Sequence, residues 1–130
     1  MKSTPPLQFQ DLCYFSSTAI KIITASKSSA ETPQSSQFQQ ALLFWLFMLD
    51  IQKMPMTTTN IREISKVDRN SLGRTLAQLE EKGLVKKEQI NTTTGKGATW
   101  LYTFEDAFRR KIWVMKATAN GLDQIGRAHV

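Results

Sequence analysis

The chain has 130 residues, with 17 lysines and arginines against 11 aspartates and glutamates, one histidine and one cysteine. That length suits one domain with a real core, the lone cysteine excludes an internal disulfide framework, and a net charge of +6 favours a polyanionic partner. The apolar run Ala41 to Leu49 is too short for a bilayer span of about 20 residues, and no apolar leader opens the chain, so a cytoplasmic protein is expected.

In chain order, Phe9, Leu12, Cys13, Ser16, Ala19, Ile20 and Ile23 keep helical spacing, which predicts a helix over 7–25 with these side chains along one face. Ser26 to Ser36 holds five serines and Pro33 and reads as a loop. Gln37 to Gln52 reads as a helix buried on most sides, through Leu42, Leu43, Phe44, Trp45, Leu46, Phe47 and Leu49.

The stretch Asn60 to Val85 carries most of the information. Asn60 with Glu63 makes a capping-box-like start behind Thr57, Thr58 and Thr59, and Ile61, Ile64 and Val67 keep an apolar edge. Asp68 is the expected N-cap of a second helix, since its carboxylate can accept from orphan backbone N–H groups. Leu72, Leu76 and Leu79 recur at four- and three-residue spacing and form a stripe to be buried. Lys82-Gly83 closes the helix, with the glycine free to turn left-handed. The far face presents Arg69, Asn70, Ser71, Arg74 and Gln78. Arginine can fork onto guanine, Asn or Gln can pair with adenine, and serine suits either. Any amphipathic surface helix has a polar face, so this pattern alone does not decide the matter.

The next segment does more. Leu84 to Ile90 and Ala98 to Phe104 are rich in strand formers, and Asn91 to Gly97 is turn chemistry around Lys96. Thr93, Lys96 and glycine N–H groups of such a tip can reach phosphate oxygens. A hairpin directly behind a helix-turn-helix is a wing, so the expected fold is mainly α with a small β-hairpin wing. Phe104, Phe108, Ile112 and Met115 then form a further helical stripe, with Arg109, Arg110, Lys111 and Lys116 outside it. Thirteen basic and seven acidic residues lie between Lys53 and Lys116, so the whole charge excess sits with this unit.

From Ile61 to Val85 the chain resembles, without a gap, the MarR-type winged helix-turn-helix transcriptional regulators. Asp68-Arg69 matches the family's aspartate-arginine start of the recognition helix, and Leu79-Glu80-Glu81-Lys82-Gly83-Leu84-Val85 matches its helix stop. Asn70, Ser71 and Arg74 fall on its usual base- and backbone-contacting positions. The likeness extends from about Gln37 to Met115 and is weak before that. It implies a sequence-specific regulator that binds double-stranded DNA as a homodimer; taken with the polar face of the second helix, the turn before it and the hairpin tip, it makes Lys66, Arg69, Asn70, Ser71, Arg74, Gln78, Thr93 and Lys96 the expected DNA-binding residues. It also implies N- and C-terminal dimerisation helices flanking the winged helix (37–104) and a small-molecule effector. Four positions depart: Thr94 stands for the wing's usual aspartate, Lys96 for its arginine, Tyr102 for its leucine, and Gly73 for a serine. Lysine lacks arginine's planar fork, so phosphate contact suits Lys96 better than minor-groove insertion.

Some relatives sense peroxides through a thiol in the first helix. Cys13 sits comparably, but in an apolar stripe with Ser17 where a tyrosine is usual, so a packed and inert cysteine is expected. The segment Ile125 to Val130 reads like the translation of a widely used sequencing adapter. Native sequence is therefore expected to end near Asp123, with a shortened final helix (105–124) and weakened dimerisation. His129, the only histidine, then carries no role. No cofactor, metal site or enzyme constellation is expected. A winged-helix protein-interaction module and a piece of a plasmid or phage replication initiator stay open as alternatives.

Overall fold

The first helix, α1 (Leu12–Ala25), is entered through a single 3-10 turn at Phe9–Asp11. The computed structural model describes residues 6–28, 31–91 and 98–128. Helix α2 (Pro33–Ile51) follows, then a two-residue strand β1 (Met56–Thr57), α3 (Thr58–Ser65), α4 (Arg69–Glu81), the hairpin strands β2 (Val85–Asn91) and β3 (Ala98–Phe104), and α5 (Asp106–Ala128). The sheet is antiparallel in the order β1-β3-β2, with Met56 opposite Tyr102 and Val85 opposite Phe104. This is a winged helix-turn-helix: α3 and α4 joined by a three-residue turn, the wing behind them, and helices flanking both ends.

Several local expectations need correction. The loop expected over 26–36 is shorter, because Pro33 opens α2 and does not sit in the loop. Its missing N–H is no loss at a first helical position, and the Ser35 N–H donates to Thr32 Oγ1 at 3.1 Å as the cap. Helix α3 is capped by Thr57, not Asn60. Pairing of β1 with β3 keeps the chain extended up to Thr57, whose hydroxyl accepts the Asn60 N–H at 3.2 Å. Asn60 lies inside the helix and donates through Nδ2 to Pro55 O. On α1 the predicted stripe is split. Ala19 and Ile23 are buried beside Phe15 and Thr18, whereas Phe9, Cys13 and Ile20 face outward. Phe15 decides this, since its ring packs on Phe47, Phe104 and Phe108 with centroids 4.7–5.3 Å apart. Cys13 is thus an exposed free thiol and not a packed one.

The core is a four-phenylalanine centre sheathed by aliphatics. Leu42, Leu43, Leu46 and Leu49 of α2, Ile61 of α3, and Leu72, Leu76 and Leu79 of α4 are each at most 1% exposed. Each such side chain contributes roughly 1.5–3 kcal/mol by leaving water. Helix α5 supplies Phe108 and Ile112 and is tied down by two ion pairs, Arg109 to Asp50 at 3.2 Å and Lys116 to Asp11 at 2.8 Å. The run Ala41 to Leu49 is not buried all round: Phe44 is 41% exposed.

Candidate nucleic-acid interface

Helix α4 is held at both ends by backbone chemistry that the sequence announces. At its start the Ser71 N–H donates to Asp68 Oδ2 at 3.0 Å. That bond, followed by the Ser71 hydroxyl, holds the Asp68 carboxyl below its ordinary range. At its end Gly83 takes φ +75°, the Leu84 N–H reaches Leu79 O and the Gly83 N–H reaches Glu80 O, both at 3.0 Å. These two bonds make a Schellman motif, a position where a Cβ would be strained. The turn before α4 depends on Lys66, a non-glycine residue in the left-handed region (φ 59°), whose N–H closes on Arg62 O at 2.8 Å.

With both ends fixed and the leucine stripe buried, the outer face of α4 is determined. Arg69, Asn70 and Arg74 are exposed, as is Lys66 in the turn. All four line one open cleft between α3, α4 and β3, which also takes in Thr58, Thr59, Arg62, Trp100 and Tyr102. Four cations, Arg62, Lys66, Arg69 and Arg74, stand there against two carboxylates, Glu63 and Asp68. Sequence reasoning missed Arg62 and Trp100. Arg62 lies one helical turn before Lys66, a spacing that puts both on one side of α3. Trp100 is two positions from Tyr102, hence on the same face of β3.

Two expected site residues lie elsewhere. Ser71 is half-buried at the cap, lining a second groove with Thr32, Ser35, Phe38 and Arg74. Gln78, expected on the outer face, is turned toward α2: its Oε1 accepts from Gln39 Nε2 at 3.1 Å and Ser35 Oγ at 3.3 Å. The cause is Gln39, fully buried in α2, whose amide must find partners. Its Nε2 also donates to Glu31 Oε1 at 2.6 Å, and its Oε1 accepts from Lys82 Nζ at 2.7 Å. Thr93 and Lys96, expected at the wing tip, lie outside the described residues.

Among the described residues no group of three or more His, Cys, Asp or Glu side chains could hold a metal. Among the same residues no helix is long and apolar enough to cross a membrane.

The class that this geometry defines is the winged helix-turn-helix domain, an arrangement used by DNA-binding regulators. Residues 45–104 match the family described as "Sugar-specific transcriptional regulator TrmB", just under half of the chain. Among solved structures, one similar to this chain is a "PadR-like Transcription factor from bacteroid fragilis". It shares 19% identity, with a TM-score of 0.46 over 76% of this chain and 100% of that one. No curated protein matches the sequence. The family matched is a family of transcriptional regulators, and its description does not name the MarR type.

Proposed function

We propose that the chain is a sequence-specific transcription regulator that binds duplex DNA as a homodimer, in a MarR-like layout, and works in the cytoplasm where DNA is accessible. The observation that supports this best is the cationic cleft beside an outward-facing α4. A rod about 10–12 Å across fits the roughly 12 Å major groove. Arg69, Asn70 and Arg74 are the side chains on that rod suited to base edges, while Arg62 and Lys66 suit phosphates. Ser71 is proposed at the edge of the contact, and Thr93 and Lys96 as phosphate contacts of the wing. Gln78 is left out, because its carbonyl oxygen is engaged by Ser35 and Gln39. The proposal includes a small-molecule effector. A groove of about 350 Å³ between α1 and α2, lined by Phe15, Ile20, Ala41 and Phe44 with Gln37 and Gln40, has the size and apolar character for one.

The test is selection from a random duplex pool, followed by titration of the chosen and a scrambled duplex over a salt series. Affinity is expected to fall linearly with salt on logarithmic axes. The chosen sequence is expected to hold two related half-sites about 34–36 Å apart. Arg74→Ala should cost about 1–3 kcal/mol and relax preference at one base pair. An equal loss on both duplexes would make Arg74 a phosphate contact, and no salt-dependent binding at all would favour a protein-interaction module.

A further inference from the structure

We infer that Trp100 and Lys87 form a second grip on DNA at the root of the wing, the indole against a deoxyribose and the ammonium on the neighbouring phosphate; this rests on the duplex-binding reading above. The register sets Val85 opposite Phe104, Lys87 opposite Tyr102 and Gln89 opposite Trp100. Directly opposed residues of an antiparallel pair share a face, as do alternate residues along each strand. One face of the hairpin therefore carries all six.

That face starts in the core and leaves it. Val85 and Phe104 are each 1% exposed, Tyr102 is 8% and Trp100 is 40%. Beyond Tyr102 there is no more core to cover the strand, and the same face overhangs the cleft, where Trp100 meets the surroundings of Thr58, Arg62 and Lys66. Lys87 Nζ lies 4.6 Å from the centroid of the Trp100 ring. A cation over an indole is held electrostatically by the ring, so ring and ammonium are presented together.

The charge of the cleft selects what covers the indole. An apolar partner helix would have to bury Arg62, Lys66 and Lys87 unpaired, which is costly. A sugar–phosphate backbone offers an apolar sugar edge for the ring and an anion for each ammonium or guanidinium. Strand β3 packs against α3, and Trp100 shares the cleft with Arg62 and Lys66, the cations suited to phosphates, so the contact inferred is with the backbone and carries no base readout. The grip should then add affinity to every sequence alike.

The experiment uses the full chain with the selected and scrambled duplexes over a salt series. Trp100→Ala is expected to lose about tenfold on both duplexes with an unchanged salt slope, since an indole releases no counterion. Trp100→Phe should keep most of the affinity, because a ring remains. Lys87→Ala is expected to weaken both duplexes and make the slope shallower by about 1. Tryptophan emission should change on titration of the parent chain, and Trp100→Phe should lose most of that change although Trp45 and Trp113 remain. Trp100→Ala binding both duplexes as tightly as the parent, or Trp100→Phe keeping the full emission change, would overturn this inference alone. A parent chain that binds no duplex removes the DNA-binding reading, and this grip with it.

Discussion

Lys82 Nζ sits 2.7 Å from Glu31 Oε1 and 2.7 Å from Gln39 Oε1, with its side chain 5% exposed. By residue type it reads as a surface cation near the negative end of α4, and by packing it is a buried strut between α4 and the start of α2. Its hydrogen bond, followed by the Ser28 N–H and the Gln39 amide, lowers the Glu31 pKa from 4.5 to about 2. The folded pKa lies below the unfolded one, so the stabilisation is complete above about pH 4.5 and is lost as pH falls toward 2. Lys82→Met should cost about 3 kcal/mol at pH 7, because it strands a largely buried carboxylate. Thermal melts at pH 7 and pH 3 check this: the gap between parent and variant should narrow at pH 3. A gap independent of pH would mean that the loss is one of packing. Gln78 belongs to the same network, which is why a glutamine on a polar helix face is turned away from solvent.

At the scale of the element, α4 contains an interior glycine on its exposed side. A Cβ built on Gly73 meets nothing within 4 Å, so no intramolecular contact requires a glycine there. Helix propensity alone predicts that Gly73→Ala stabilises the fold by roughly 0.5–1 kcal/mol. Gly73 lines the cleft beside Asn70 and Arg74, however, where a DNA backbone could come close. The expected result is a higher melting temperature together with weaker duplex binding. A rise in both would show that the position is open on the DNA side as well.

Considered as a whole, the molecule leaves large apolar side chains uncovered on its flanking helices. Phe9 is 64% exposed and Ile20 45% at the N-terminal end, and Trp113 is 50% and Val114 60% on α5. Cys13 is also exposed between Phe9 and Ile20. Large apolar side chains left uncovered on flanking helices suit an association surface, which fits the proposed homodimer. Trp113→Glu combined with Ile20→Glu is expected to shift the chain to monomer in sedimentation velocity and to weaken duplex binding well beyond what one half-site explains. Both residues are solvent-exposed in the single chain, so the fold should survive, with an unchanged helical circular-dichroism spectrum as the control, since loss of a dimer contact lowers the melting temperature by itself. A double variant that sediments like its parent would place any dimer contact elsewhere.

How much was legible follows from the range of the forces. The Asp68 cap, the Gly83 stop, the leucine stripe of α4 and the hairpin strands could all be read in advance. Each rests on bonds or periodicities within a few residues, or on one turn and its two flanks. The placing of Lys66, Arg69, Asn70 and Arg74 around one cleft follows from these, because a helix with fixed ends and one buried stripe has little freedom left. Tertiary contacts decided the rest. Phe15 and its three aromatic neighbours chose which edge of α1 turned inward, pairing of β1 with β3 moved the start of α3 to Thr57, and the buried Gln39 drew Gln78 and Lys82 away from solvent. Such choices depend on partners 30 or more residues away, and local spacing contains no record of which of two compatible faces a distant neighbour will occupy.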